Sequence, residues 1–322
     1  MTEPGDMTQP APIPMVPEHE LLRLIGGGSS GQVWLARNTL GTYRAVKIVH
    51  EKNFRQRRSF EREFEGVLKF EPLSRLHDGL VDILQVGRNE TAGYFYCVMG
   101  LADDVITGPL IQPAAYAPHT LGQDLNRLGR LPIADCVRLG VVISSAMGFL
   151  HQHGLIHRDI KPANIIFVKG IPKLADIGLV ADLSEGRSFV GTEGFIPPEG
   201  SGTVRSDIYA LGKVLYEIST GRDRNEYPAL PEDLGRRPET RDLLLLNKII
   251  LKACRVKTRH RYESAEEMML ALLAFQFSKE TLRQQENSRL FSKIFAVVGA
   301  VAVLGVIIGF LWRISWLLKQ GQ

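Results

Sequence analysis

His157-Arg158-Asp159-Ile160-Lys161-Pro162-Ala163-Asn164, with Asp176-Ile177-Gly178 opening twelve positions after the asparagine, gathers an unusual density of reactive side chains into one stretch. A carboxylate such as Asp159 can accept a hydroxyl proton and orient the oxygen that gives it up. Asn164 and Asp176 offer hard oxygen ligands of the kind that Mg2+ takes. Singly, each acidic residue would most often be a helix cap or a surface group. What surrounds the stretch gives it meaning.

Upstream, Gly26-Gly27-Gly28-Ser29-Ser30-Gly31-Gln32-Val33 is a G-x-G-x-x-G-x-V placed between two β-like runs. Glycines at those positions let the backbone turn tightly and bring N–H groups close to phosphate oxygens. A dinucleotide-binding turn needs a helix directly after its glycines and an acidic residue about 20 positions on. Here the β-like VWLAR follows, which disfavours that use. The next strand ends in Ala45-Val46-Lys47, and an ammonium on an apolar strand is costly to bury without a carboxylate partner. At helical spacing Glu63 shares a side with Phe60, Phe64 and Val67, whereas Glu61 and Glu65 share the other. Glu63 is the expected partner and Glu65 the alternate.

In chain order, then, come a glycine loop, a strand lysine, a helix glutamate, H-R-D-x-x-x-x-N and D-x-G, and together they resemble the signature of the protein kinases. With lysine two residues after the aspartate, the chain is similar to the eukaryotic-like serine/threonine kinases. Its C-terminal stretch is similar to that of their bacterial, membrane-tethered branch. The resemblance covers about residues 18–275 and takes in Gly191-Thr192-Glu193-Gly194-Phe195-Ile196-Pro197-Pro198-Glu199, like the family's G-T-x-x-Y-x-A-P-E. It also takes in Ser206-Asp207-Ile208-Tyr209-Ala210-Leu211-Gly212, the central-helix motif, and Arg261, which the family pairs with the glutamate here at Glu199.

The resemblance implies an α+β, bilobal protein-kinase fold: a small five-stranded β lobe with one helix and a large helical lobe. It implies a reaction in which the γ-phosphoryl group of ATP, bound with Mg2+, passes to serine or threonine hydroxyls of protein substrates. Asp159 is then the base, and Lys161 stabilises the transferring charge. Lys47, paired to Glu63, holds the α- and β-phosphates. Ile25, Gly26, Gly28, Gly31, Val33, Ala45, Met99 and Leu101 surround the nucleotide, and Asn164 and Asp176 hold the metal. His157 is implied as a packing hub. Arg158 before the base implies regulation by phosphate on the following segment, with Ser184 and Ser188 as receivers, while Thr192 bonds near the base. Three departures stand out: Ile177 for phenylalanine, Met99-Gly100-Leu101 at the hinge, and a long connection over residues 70–80. The complete set Lys47, Asp159, Asn164 and Asp176 argues against a scaffold without turnover.

The remaining pattern agrees with two lobes. Short β-like runs (LLRLI, VWLAR, YRAVKIV, VDILQVG, YFYCVMG) surround a helical stretch at 55–70. Residues 103–118 read as an irregular insertion. A helix from Ile133 to His153 follows Pro132, and Ile208, Leu211, Leu215 and Ile218 fall at helical spacing. Five prolines in residues 1–17 read as a flexible tail and not a signal peptide.

Across 322 residues, 44% hydrophobic and 23% charged with a mean hydropathy near zero, the average conceals one segment. From Ile294 to Trp312 there is no charge, and nineteen residues at 1.5 Å give about 28 Å, close to the thickness of bilayer hydrocarbon. Residues 294–312 are therefore expected to be a single transmembrane helix, after a juxtamembrane linker at 276–293 and before a short tail at 313–322. Arg289 and Lys293 precede it; Arg313, Trp316 and Lys319 follow. Gly305 and Gly309 form a G-x-x-x-G that suits a homodimer face. ATP use places the kinase domain on the cytoplasmic side of the cell membrane, and the short tail leaves no outer sensor domain expected. Residues 276–322 carry six basic and two acidic side chains, so the whole +4 lies there and the first 275 residues are neutral. The charge thus gives no reason to propose a nucleic-acid partner. Cys97, Cys136 and Cys254 are too scattered for a disulfide framework or zinc site.

Overall fold

The computed structural model describes residues 13–28, 31–176, 181–182, 191–236 and 238–278. The chain divides into two units, Met1–Leu272 and Leu273–Gln322. In the first, the β-like N-terminal runs fold as β1 (His19–Gly27), β2 (Gln32–Asn38) and β3 (Tyr43–His50), joined by β4 (Ile83–Asn89) and β5 (Tyr94–Met99). They form one antiparallel sheet in the order β1-β2-β3-β5-β4. Ala36, Val46, Ile48, Tyr96 and Val98 pack together within it. The fourth strand starts two residues later than the apolar run suggests, because Val81 donates its N–H to Leu174 O (2.9 Å) in the large lobe.

Helix α1 (Arg57–Ser74) packs on the sheet through Phe60 and Phe64, whose rings lie 5.3 and 5.2 Å from that of Phe95. On its outer side Glu61 takes two hydrogen bonds from Arg88, both 2.7 Å, and the Arg88 guanidinium rests over the same two phenylalanines. With Glu61 fixed outward, the 3.6-residue repeat turns Glu63 inward: it is buried, and Glu65 is exposed. The long connection extends α1 to Ser74 and then reaches the large lobe. His77 hydrogen-bonds Ser145 (3.0 Å), Leu174 donates to Gly79 O (2.8 Å), and Lys173 donates to Leu80 O (2.9 Å).

The large lobe contains α2 (Leu121–Leu128), α3 (Ile133–Gln152), α4 (Val204–Thr220), α5 (Thr240–Ala253) and a helix over residues 265–272. Short strands β6 (Leu155–Ile156), β7 (Ile165–Val168), β8 (Ile171–Leu174) and β9 (Ala181–Asp182) pair as β6–β9 and β7–β8. By length and composition α3 could cross a bilayer, but 61% of its most apolar window is buried, which makes it a core helix. Helix α4 starts at a capping box between Thr203 and Ser206, and every residue from Ser206 to Thr220 except Tyr209 is buried. The insertion at 103–118 is irregular, as its composition suggests, yet tightly organised. Burial would raise the Asp104 pKa, but hydrogen bonds led by the N–H groups of Thr107, Ala117 and Ile106 bring it down to about 2. Tyr116, also buried, donates to Ala102 O (3.0 Å), and Arg23 of β1 donates to Tyr116 O. The described part of the second unit, 273–278, is helical. The expected membrane span at 294–312, its flanks beyond residue 278, and Ile177, Gly178, Ser184 and Ser188 lie outside the described residues.

Asp207, 1% exposed, accepts from the backbone N–H groups of His157 (2.9 Å) and Arg158 (3.0 Å) and contacts His151 Nε2 at 2.9 Å. Asp207→Asn would turn an amide donor towards one of these donors. The expected loss is about 1–3 kcal/mol of stability, read as a lower urea midpoint at unchanged slope. An unaltered midpoint would remove Asp207 from this role.

Candidate active site

Strands β1 and β2 meet at the glycine loop, where Gly26 pairs with Val33, Gly27 with Gln32, and Gly28 N–H reaches Gly31 O at 3.0 Å. A β-carbon on Gly31 would come within 2.5 Å of Ile48 O, so this glycine is required by packing inside the lobe. Among the described residues, one on Gly26 would meet only Val33 and one on Gly28 nothing, so this side of the loop is open. Ile25 sits in the register shift just before the loop.

Beneath the loop, the register sets Ala45 opposite Met99 on β3 and β5. Ala45, Met99, Val33 and Leu101 share one apolar cluster with Val81, Ala175 and Ile166. The first four were expected from the sequence; Val81, Ala175 and Ile166 were not. Ile166 lies two residues after Asn164 and Ala175 directly before Asp176, and those placements were the only available signals.

Lys47 is 5% exposed, with Nζ 3.3 Å from Glu63 Oε1 and 2.8 Å from Asp176 Oδ1. Burial disfavours its ammonium, yet Asp176 and Glu63 outweigh that and hold its pKa above the ordinary value. Burial likewise opposes ionisation of Asp176, and Lys47 overcomes it, keeping that carboxyl low. Glu63 has the longer contact with Lys47, and its burial prevails: its pKa is pushed up to about 7.

The loop after β6 brings the other side chains together. Asp159 Oδ1 accepts from Thr192 Oγ1 (2.7 Å), and Oδ2 from Asn164 Nδ2 (2.8 Å) and Lys161 Nζ (2.8 Å). Lys161 also donates to Thr192 Oγ1 (2.8 Å). A carboxylate offers about four acceptor sites, so one remains for an incoming hydroxyl. Asn164 and Asp176 are brought close by the bond from Ala175 N–H to Asn164 O (2.8 Å). His157, fully buried, hydrogen-bonds Ala175 O at 3.1 Å, in keeping with a packing role. Arg158 and Asp176 have φ of +68° and +56°, a region costly for residues other than glycine and concentrated at active sites. Arg261 donates to both Glu199 oxygens (2.5 and 2.9 Å) and anchors the end of the 191–199 segment.

Among the described residues no group of three His, Cys, Asp or Glu side chains could enclose a metal. One carboxylate and one amide, Asp176 and Asn164, suit Mg2+, which keeps waters and phosphate oxygens as its other ligands. A β lobe set over a lysine–carboxylate cluster, with a loop-held aspartate in the cleft, defines the protein kinase class. Residues 19–293 match the protein kinase domain, and the chain belongs to that family. DNA damage-responsive serine/threonine-protein kinase RqkA of Deinococcus radiodurans is 33% identical over 222 residues, covering 63% of this chain and 30% of its own length. Serine/threonine-protein kinase PrkC of Bacillus subtilis is 30% identical over 281 residues, 78% of this chain and 39% of the relative. Serine/threonine-protein kinase PknB of Mycolicibacterium smegmatis is 31% identical over 292 residues, 79% and 42%. The chain spans less than half the length of these curated relatives.

Between its ordinary value of 4.5 and about 7, Glu63 holds in the folded protein a proton that the unfolded chain releases. Its contribution to stability therefore falls as pH rises through that window. Glu63→Gln should match the wild-type urea midpoint at pH 5 and exceed it at pH 7.5. Parallel pH profiles for the two proteins would show that Glu63 does not titrate there.

Proposed function

We propose that this chain is an active serine/threonine protein kinase, transferring the γ-phosphoryl group of MgATP to protein hydroxyls. The observation that carries the reading is Asp159, held by Thr192, Lys161 and Asn164 with one acceptor site left. Bound MgATP supplies the phosphoryl group and the charge that neutralises its oxygens. Lys47 would hold the α- and β-phosphates, oriented by Glu63. The cluster of Val33, Ala45, Met99, Leu101 and Ile166 would take the adenine. Asn164 and Asp176 would hold the metal. Asp159 orients the substrate hydroxyl and receives its proton, and Lys161 beside it stabilises charge on the transferring group. Serine and threonine as acceptors are supported by Lys161 in its family position and by the names of the relatives.

The reading extends to the membrane. Residues 294–312 would form a single span that tethers a cytoplasmic kinase domain for signalling, with Gly305 and Gly309 as a candidate dimer face. The supports are the uncharged length of that stretch and the basic residues on either side.

Asp159→Asn should lower kcat by about 10²–10⁴-fold through loss of the base. Lys47→Met should lower it by about 10²–10³-fold through loss of a preorganised charge. Radiolabelled ATP with a generic protein substrate reads both, and retained turnover in either variant would force reassignment. In an alkaline carbonate wash the full chain should stay with the membrane pellet; release into the supernatant would remove the span.

A further inference from the structure

A groove of about 600 Å³ is lined by Lys161 and Thr192, both bonded to Asp159, and by Glu217, Arg222, Asp223 and Arg224. Both anions in this wall are already engaged. Glu217, 5% exposed, accepts from Arg224 N–H (3.1 Å) and Nη1 (3.2 Å). Asp223 accepts from Asn225 N–H (2.8 Å) and from Arg224 Nη1 (3.5 Å). The cations are placed differently. Arg224 is fixed on several sides: Nε donates to Glu193 O (3.0 Å), and the guanidinium carbon lies 4.8 Å from the Phe195 ring centre. Its carbonyl accepts from buried Lys213 Nζ at 2.6 Å. Arg222 donates to Glu226 through Nη1 (2.6 Å), but its buried Nε has no hydrogen-bond partner among the described residues. A buried donor without an acceptor is costly, and a ligand oxygen would relieve that cost.

We propose that this groove selects peptide segments bearing an aspartate or glutamate close to the phosphoacceptor, and rejects those bearing arginine or lysine there. The inference rests on the kinase reading above and names its substrate class. A carboxylate in the groove meets the guanidinium groups of Arg222 and Arg224, and a small turn of Arg222 brings its unfilled Nε to one of the two oxygens. A substrate cation meets Arg222 and Arg224 with both carboxylates of this wall already taken, so like charge disfavours it.

The test uses the full chain in detergent and peptides with a single serine carrying Asp, Ala or Arg at each position within four residues. At one or more of these positions, kcat/KM for Asp should exceed that for Arg by about tenfold or more. Arg222→Gln should bring that ratio down towards unity. Arg224→Gln uncovers Glu217 and should shift the preference towards arginine, whereas Arg224→Lys should keep the wild-type order. Arg224→Gln risks misfolding around Glu217, so Arg222→Gln carries the test by itself if that variant is lost. Equal or better use of the Arg peptides by wild type, or an unchanged ratio in Arg222→Gln, overturns the inference while leaving the kinase reading intact. Absence of transfer to every peptide and to the chain itself overturns both.

Discussion

The catalytic loop depends on one carboxylate set apart from the cleft. Asp207, on a helix buried almost all round, presents its oxygens to the backbone N–H groups of His157 and Arg158. An ion taken out of water costs several kcal/mol unless it is fully paired. Burial disfavours its ionised form, but His151 and His157, through charge and the His157 N–H, outweigh it and keep the carboxyl low. The arrangement holds Arg158 at a φ of +68°, where an unsupported residue would relax. Relaxation there would rotate the following residue, Asp159, out of its contacts with Thr192, Lys161 and Asn164. The capping box at Thr203 and the apolar packing of Ile208, Leu211 and Leu215 serve the same end, because they keep the carboxylate still.

The opposite wall is balanced where the floor is fixed. Lys47 is shared between Asp176 and Glu63, and the closer contact is with Asp176. Phosphates and a cation entering between them would compete for both partners of this lysine. That makes the cluster responsive to the nucleotide, while Arg88 and Glu61 on the outer side of α1 keep Glu63 in reach.

Much of this was legible in the sequence because it is local. Short β-like runs bounded by turn residues marked the five strands, helical spacing separated Glu63 from Glu65, and the spacing from Asp159 to Asn164 and Asp176 identified the loop. What escaped is of two kinds. Val81, Ile166 and Ala175 are apolar residues in apolar surroundings, and nothing local distinguishes a residue facing a ligand from one facing the core. The bonds of Asp207 to residues 157 and 158 span about fifty positions, and the Arg224–Glu217 contact sits in a charged run that reads as a solvated turn. The long connection at 70–80, which looked like a departure, proved to be the route by which α1 is fastened to the large lobe.

That fastening also determines how the cleft can move. The small lobe is moored by hydrogen bonds at residues 77–81 and through the chain at the hinge around Gly100, and these two attachments act as an axle. Two polar contacts also cross the cleft: the Lys47–Asp176 ion pair, and a removable stop made of one hydrogen bond from Arg23 to the Tyr116 carbonyl. A bond from a charged donor is worth about 1.5–3 kcal/mol net, a few times thermal energy. Once Lys47 and Asp176 also part, the small lobe can swing away from the insertion without disturbing either lobe's core. Breaking the bond to the insertion is thus one step of modest cost in opening the cleft for the nucleotide to exchange.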